Sequence, residues 1–216
     1  CSHSLARLRV SAEAGYRDVR PSVRTYNAVL ECCAIHGEPE QAKNLLYYML
    51  KQYRDGDMDA KPNLYSFSYV IRAYTRTKDE RIKDAAQRAE SILDRLLEYC
   101  EEENYALKPW YQTFSMISDY YGRSGRQDAP YRAEYVVNRM LAMYEDGKLE
   151  AVPSPGVFVS VMDAYANAEH PDAGKNADRM LALSRKLINE NAKGNVLTTR
   201  IMNSAINAWA SCGDEN

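Results

Sequence analysis

Residues 24–34 read RTYNAVLECCA, and the same frame returns four times. It recurs as YSFSYVIRAYT at 65–75, QTFSMISDYYG at 112–122, GVFVSVMDAYA at 156–166 and RIMNSAINAWA at 200–210. The third column holds Tyr26, Phe67, Phe114, Phe158 and Met202, so all 3 phenylalanines of the chain fall in it. A second block follows each of the first four: EQAKNLLYYM, QRAESILDRL, YRAEYVVNRM and KNADRMLALS. The alanines Ala42, Ala89, Ala133 and Ala177 in these blocks each stand 20 residues before Pro62, Pro109, Pro153 and Leu197 in turn. Equal intervals between matched residue types mark a repeat, and a repeat decides the fold before any motif does.

The period itself varies. Asn27, Ser68, Ser115, Val159 and Asn203 occupy the fourth column at spacings of 41, 47, 44 and 44 residues. The distance between the two blocks absorbs this variation: Leu30 to Ala42 is 12 residues, Ile71 to Ala89 is 18, and the later two are 15 each. The unit is therefore two rigid segments joined by an elastic turn. Apolar residues recur at helical spacing in both segments, as Tyr26, Val29, Leu30 and Cys33 in one and Leu45, Leu46, Met49 and Leu50 in the other. Turn residues separate them at HGEP (36–39), at Arg123-Ser124-Gly125 and at His170-Pro171-Asp172. Gly56, Gly147 and Gly194 fall just past the second segments, where a left-handed helix cap is commonest. One such helix pair has too little apolar face to fold alone, so stacked neighbours must supply a shared core. The expectation is an all-α fold, an α-solenoid of helix-turn-helix repeats, with Tyr26, Phe67, Phe114 and Phe158 as repeated core plugs.

Composition narrows the function classes. The 216 residues are 45% hydrophobic and 27% charged, a folded composition. A formal net charge of -2 gives no bulk attraction for nucleic acid, so any basic surface must be local. No run of about 18 apolar residues occurs, and no membrane span is expected. The cysteines, Cys1, Cys32, Cys33, Cys100 and Cys212, are odd in number and irregularly spaced, which fits buried thiols better than a disulfide framework. His3, His36 and His170 are scattered, so no zinc set forms and neither metal nor cofactor is expected. There is no glycine-rich phosphate loop ending in lysine and no serine or cysteine framed with a histidine. Asp119 and Asp163 are read as single carboxylates on first helices, and the chain carries no expected catalytic residue. The run Glu101-Glu102-Glu103 is read as a solvated face. A chain that starts at Cys1 and stops just after a new helical pattern is read as a piece of a longer one.

The first unit carries a family pattern. VRTYNAVL at 23–30, GEPEQAKNLLYYM at 37–49 and KPN at 61–63 together resemble the pentatricopeptide repeat. The resemblance extends along the chain as repeats at 23–63, 64–110, 111–154 and 155–198. Residues 1–22 resemble the second helix of a preceding repeat, and 199–216 the first helix of a following one. These repeats are longer than the family's usual unit, and the T-Y-N triplet weakens to S-F-S, T-F-S, V-F-V and I-M-N. The W-x-x-L-G-x-x-Y pattern of tetratricopeptide repeats is absent.

The resemblance implies a right-handed superhelix that reads single-stranded RNA at one base per repeat, with first helices lining the concave face. It pairs Asn27 with Asn63, Ser68 with Trp110, Ser115 with Ser154 and Val159 with Thr198 as base-reading residues, with Asn203 starting a further pair. Two asparagines favour a pyrimidine in that family, and a valine offers no hydrogen bond. Arg24, Tyr65, Gln112 and Arg200 take the base-stacking position, which is Gly156 in the fourth repeat. Arg76 and Arg123 take the phosphate position, which Ile35, Asn167 and Ser211 leave neutral. The implied role is RNA processing, stability or translation in a mitochondrion or plastid. The alternative is a protein-binding scaffold within a larger assembly.

Overall fold

Each segment with helical spacing folds as a helix in the computed structural model, which describes residues 21–79, 82, 84–190 and 198–212. The helix expected within residues 1–22 falls outside these except at its last two positions. Gly194, Leu197 and residues 213–216 also lie outside them. The described structure is all-α and holds no strand. The chain divides into two compact units, residues 1–107 and residues 108–216.

In the first unit, α1 (Val23–His36) and α2 (Pro39–Arg54) form one hairpin, α3 (Leu64–Arg76) and α4 (Ala85–Glu102) the next. The first helices α1 and α3 lie side by side, α2 packs on both, and α4 packs on α3. In the second unit, α5 (Tyr111–Ser124) pairs with α6 (Ala129–Glu145), and α7 (Val157–Asn167) with α8 (Ala173–Glu190). The last helix is α9 (Thr199–Ser211), which packs on α7 and α8. Again the first helices α5, α7 and α9 are lateral neighbours, with α6 lying against α5 and α7. Each unit thus has a layer of first helices backed by second helices, the arrangement a hairpin needs to bury both its apolar faces.

The column residues account for this packing. Tyr26, Phe67, Phe114 and Phe158 are all buried, each contributing roughly 1.5–3 kcal/mol through removal from water. Met202, in the same column of α9, is half-buried. Ala42, Ala89, Ala133 and Ala177 are buried too, and their small side chains let the second helices approach closely. Pro39 and Pro130 stand in the first turns of α2 and α6, where a missing N–H costs nothing. Gly56 and Gly147 have positive φ (98° and 68°) just past α2 and α6, as expected of caps. Between α5 and α7 the approach is tighter still: a Cβ on Gly122 would lie 2.8 Å from the Ser160 carbonyl oxygen. The hydroxyls of Ser118 and Ser160 meet there at 2.9 Å, and Asn167 donates to the Gly122 carbonyl at 2.7 Å.

A polar clasp recurs at the edge of each core. In the first unit Tyr74 of α3 donates to Glu40 of α2 at 2.9 Å, and Arg88 of α4 donates to the same carboxylate at 2.6 Å. In the second, Tyr165 of α7 donates to Glu134 of α6 at 3.1 Å, and Arg179 of α8 grips both its oxygens at 2.6 and 2.5 Å. The acidic run differs in part from its solvated reading. Glu101 and Glu102 are exposed, but Glu103 accepts from Lys61 at 2.8 Å and from Tyr53 at 3.0 Å, which ties the end of α4 to the end of α2. Cys33 and Cys100 are buried, and burial pushes each thiol up to about 11; Cys32 and Cys212 are half-buried.

Candidate nucleic-acid interface

The site begins with the cap of α3. Asn63 has extended backbone and starts that helix, and its Oδ1 accepts from the Ser66 N–H at 3.2 Å. The Ser66 hydroxyl accepts in return from the Asn63 N–H at 3.1 Å, completing a capping box. Across the hairpin, Asn27 of α1 donates from Nδ2 to the same Asn63 Oδ1 at 3.1 Å. The Ser66 hydroxyl proton goes to Asn27 Oδ1 at 2.7 Å, closer than its other acceptor, Asn63 Oδ1, at 3.3 Å. Two amides 36 residues apart in sequence are therefore locked together, and Ser66 beneath them is fully buried. Both amide oxygens are occupied inside this network. The second Nδ2 proton of Asn27 and both Nδ2 protons of Asn63 take no part in this network, and both residues are half-buried.

Exposed groups surround the pair. Arg24 stands one turn before Asn27 on α1 and is exposed; Tyr65, next after Leu64 at the start of α3, is 53% exposed. The Tyr65 ring lies 6.2 Å from that of Tyr69. Arg72 follows, its guanidinium 5.3 Å from the Tyr69 ring and 3.8 Å from the Glu31 carboxylate. Arg76 ends α3 as an exposed cation, and Ser68 is half-buried on the same helix. Amide donors, an exposed ring and exposed cations thus lie along α1 and α3.

The second unit is built differently. Trp110 caps α5 and is half-buried. The Ser115 hydroxyl donates back to the Tyr111 carbonyl of its own helix at 3.3 Å, while Ser154 accepts from the Gly156 N–H at 3.3 Å. These two hydroxyls are each bonded within their own segment. Val159 is only 1% exposed. That corrects the expectation for this position: a residue enclosed by its own unit presents no surface to a base. Thr198 caps α9 by accepting from the Ile201 N–H at 3.4 Å. Gln112, Gly156, Arg200, Asn203 and Arg123 are exposed.

Asp119 and Asp163 also differ from their reading as isolated carboxylates. Burial raises the Asp119 pKa above the ordinary carboxylate range; Arg123 and Arg200 oppose this, and the neighbouring charge of Asp163 adds to it. Both stand four residues after the fourth-column position, in the same column as Glu31, Arg72 and Asn207. That column was the available signal. Ser66 and its network gave a weaker one, a serine three residues after an asparagine.

Residues 9–77 match the family profile described as the pentatricopeptide repeat domain. Over that stretch the chain is similar to the pentatricopeptide repeat family. A pentatricopeptide repeat-containing protein of Arabidopsis thaliana is 24% identical to it over 107 residues, which cover 50% of this chain and 16% of that protein. The pentatricopeptide match takes in α1, α2 and α3, and so includes the Asn27–Asn63–Ser66 network. No described helix is long and apolar enough to cross a membrane.

Proposed function

We propose that this pentatricopeptide segment binds single-stranded RNA and serves RNA processing, stability or translation in a mitochondrion or plastid. The observation that carries the reading is the junction of Asn27 with Asn63. The resemblance pairs these two residues as readers of one base, and their side chains meet at 3.1 Å with N–H donors left over. Donors alone suit a base edge rich in acceptors. Cytosine supplies two adjacent acceptors, its ring N3 and O2, whereas uracil places an N3–H donor between its carbonyls. Arg24 and Tyr65 flank the pair with planar groups, and base stacking on such groups contributes about 1–3 kcal/mol per base.

The contact is concentrated in the first unit. Val159 is enclosed, and Ser115 and Ser154 bond within their own segments. Asp119 and Asp163 stand in the column that holds Glu31 and Arg72 in the first unit, so the second unit has no cation there. Those features support the second reading for residues 108–216, a face that holds a protein partner.

A gel-shift titration of the full-length protein tests the RNA reading. Asn27→Ala combined with Asn63→Ser keeps a capping side chain at 63 and removes the paired donors. Expected is about a tenfold loss of affinity for cytidine-containing RNA, the size of two modest hydrogen bonds. Undiminished binding by the double variant, or no RNA recovered after crosslinking the wild type, rejects the reading.

A further inference from the structure

We propose that Ser66 is the positioning residue of the first reading pair: its hydroxyl turns the Asn27 amide so that only N–H donors face a base. The inference rests on the RNA reading above and assigns a specificity role to a side chain that no base touches. Ser66 is fully buried, so it acts solely through Asn27 and Asn63.

The bonding leaves one arrangement. Asn63 is fixed first, because its Oδ1 must accept the Ser66 backbone N–H at 3.2 Å to cap α3. With that oxygen in place, Asn27 has two orientations. In the observed one its Nδ2 donates to Asn63 Oδ1 at 3.1 Å and its Oδ1 accepts the Ser66 hydroxyl at 2.7 Å. In the flipped one two amide oxygens face each other across that same 3.1 Å, and the hydroxyl loses its nearer acceptor. The hydroxyl oxygen is itself oriented, since it accepts from the Asn63 N–H at 3.1 Å. Removing the hydroxyl takes away one of the two bonds that hold the Asn27 amide in this orientation, so its oxygen is less firmly kept away from the base. The site then tolerates uracil or adenine edges that it previously rejected.

Elsewhere the column that Ser66 occupies is mixed: Thr25 and Thr113 also carry a hydroxyl, and Thr113 follows the pair Ser68/Trp110, which holds no amide. The position that Ser66 holds is Val157 in the fourth repeat and Ile201 in the helix after it. Those residues follow the pairs Ser115/Ser154 and Val159/Thr198, which contain no amide to orient. In the second unit Ser115 and Ser154 each bond to their own backbone instead.

The test uses the full-length protein with oligocytidylate, oligouridylate and oligoadenylate of equal length. Ser66→Ala and Ser66→Thr are compared with the wild type, since threonine keeps the hydroxyl. The expected result is that the preference for oligocytidylate narrows by about three- to tenfold in Ser66→Ala, the size of one hydrogen bond. Ser66→Thr restores it. An unchanged preference in Ser66→Ala, with lowered thermal stability alone, shows that the hydroxyl only caps α3 and overturns the proposal. If the wild type retains none of the three RNAs, the RNA reading fails. Side-chain amide NMR then judges Ser66 by itself. Asn27 amide proton signals that shift in Ser66→Ala and return in Ser66→Thr uphold the positioning role, and signals that do not move reject it.

Discussion

Phe114 has no exposed surface, whereas Met202, which occupies the same column of α9, keeps part of its side chain in solvent. The two residues separate burial from hydrophobicity. Phe114→Ala removes a large ring from a closed site and leaves a cavity that the flanking helices α6 and α7 fill only in part. The expected loss in a urea titration is about 3–5 kcal/mol. Met202→Ala in a half-open site costs less, because solvent already reaches the side chain and no full cavity forms. Equal losses for the two variants contradict the register that places Phe114 in the plug column.

At the scale of the element, hairpins are joined by more than apolar contact. The Tyr–Glu–Arg clasps link three helices each through one carboxylate. Hydrogen bonds from Arg179 hold the Glu134 carboxyl below the ordinary range, against the pull of its partial burial, with Tyr165 adding to the effect. At Glu40 burial works against the charge, but donors from Lys43, Tyr74 and Arg88 outweigh it and the net direction is again downward. A carboxylate whose folded pKa lies below its unfolded value of about 4.3 stabilises the fold fully above that value. The contribution is lost as pH falls through 4.3 toward the folded value. Thermal melts of the wild type between pH 6 and pH 3 are therefore expected to fall more steeply than those of Glu134→Gln. Parallel melting curves refute the clasp's role. The Glu134–Arg179 pair is partly exposed, with Arg179 at 47%, so its effect is screened and grows at low salt.

For the whole molecule, the parts readable in the sequence are those that obey a column. Tyr26, Phe67, Phe114 and Phe158 announced the core because a plug must recur wherever a hairpin stacks. The alanines announced the second helices for the same reason. The clasps escaped, since Glu40 lies two residues before Ala42 while Glu134 lies one after Ala133. That three-residue offset is one helical turn, which preserves the face and destroys the alignment. The reading network escaped in part because Ser66 matters through a capping box that exists only once α3 has formed. Burial of Val159 depends on neighbours that no column reveals. These differences give the two units unequal charge on their first helices, and salt dependence exposes it. Each phosphate contact to a single strand contributes about 0.7 to the slope of log affinity against log salt. Arg76 and Arg123 are both exposed cations, in the last turns of α3 and α5, but Arg123 has the partly buried Asp119 carboxyl near it. Arg76→Ala is expected to reduce the slope by about 0.7, and Arg123→Ala to leave it unchanged. If Arg123→Ala flattens the slope in the otherwise wild-type protein, residues 108–216 contact the RNA backbone directly and the concentration of binding in the first unit is wrong.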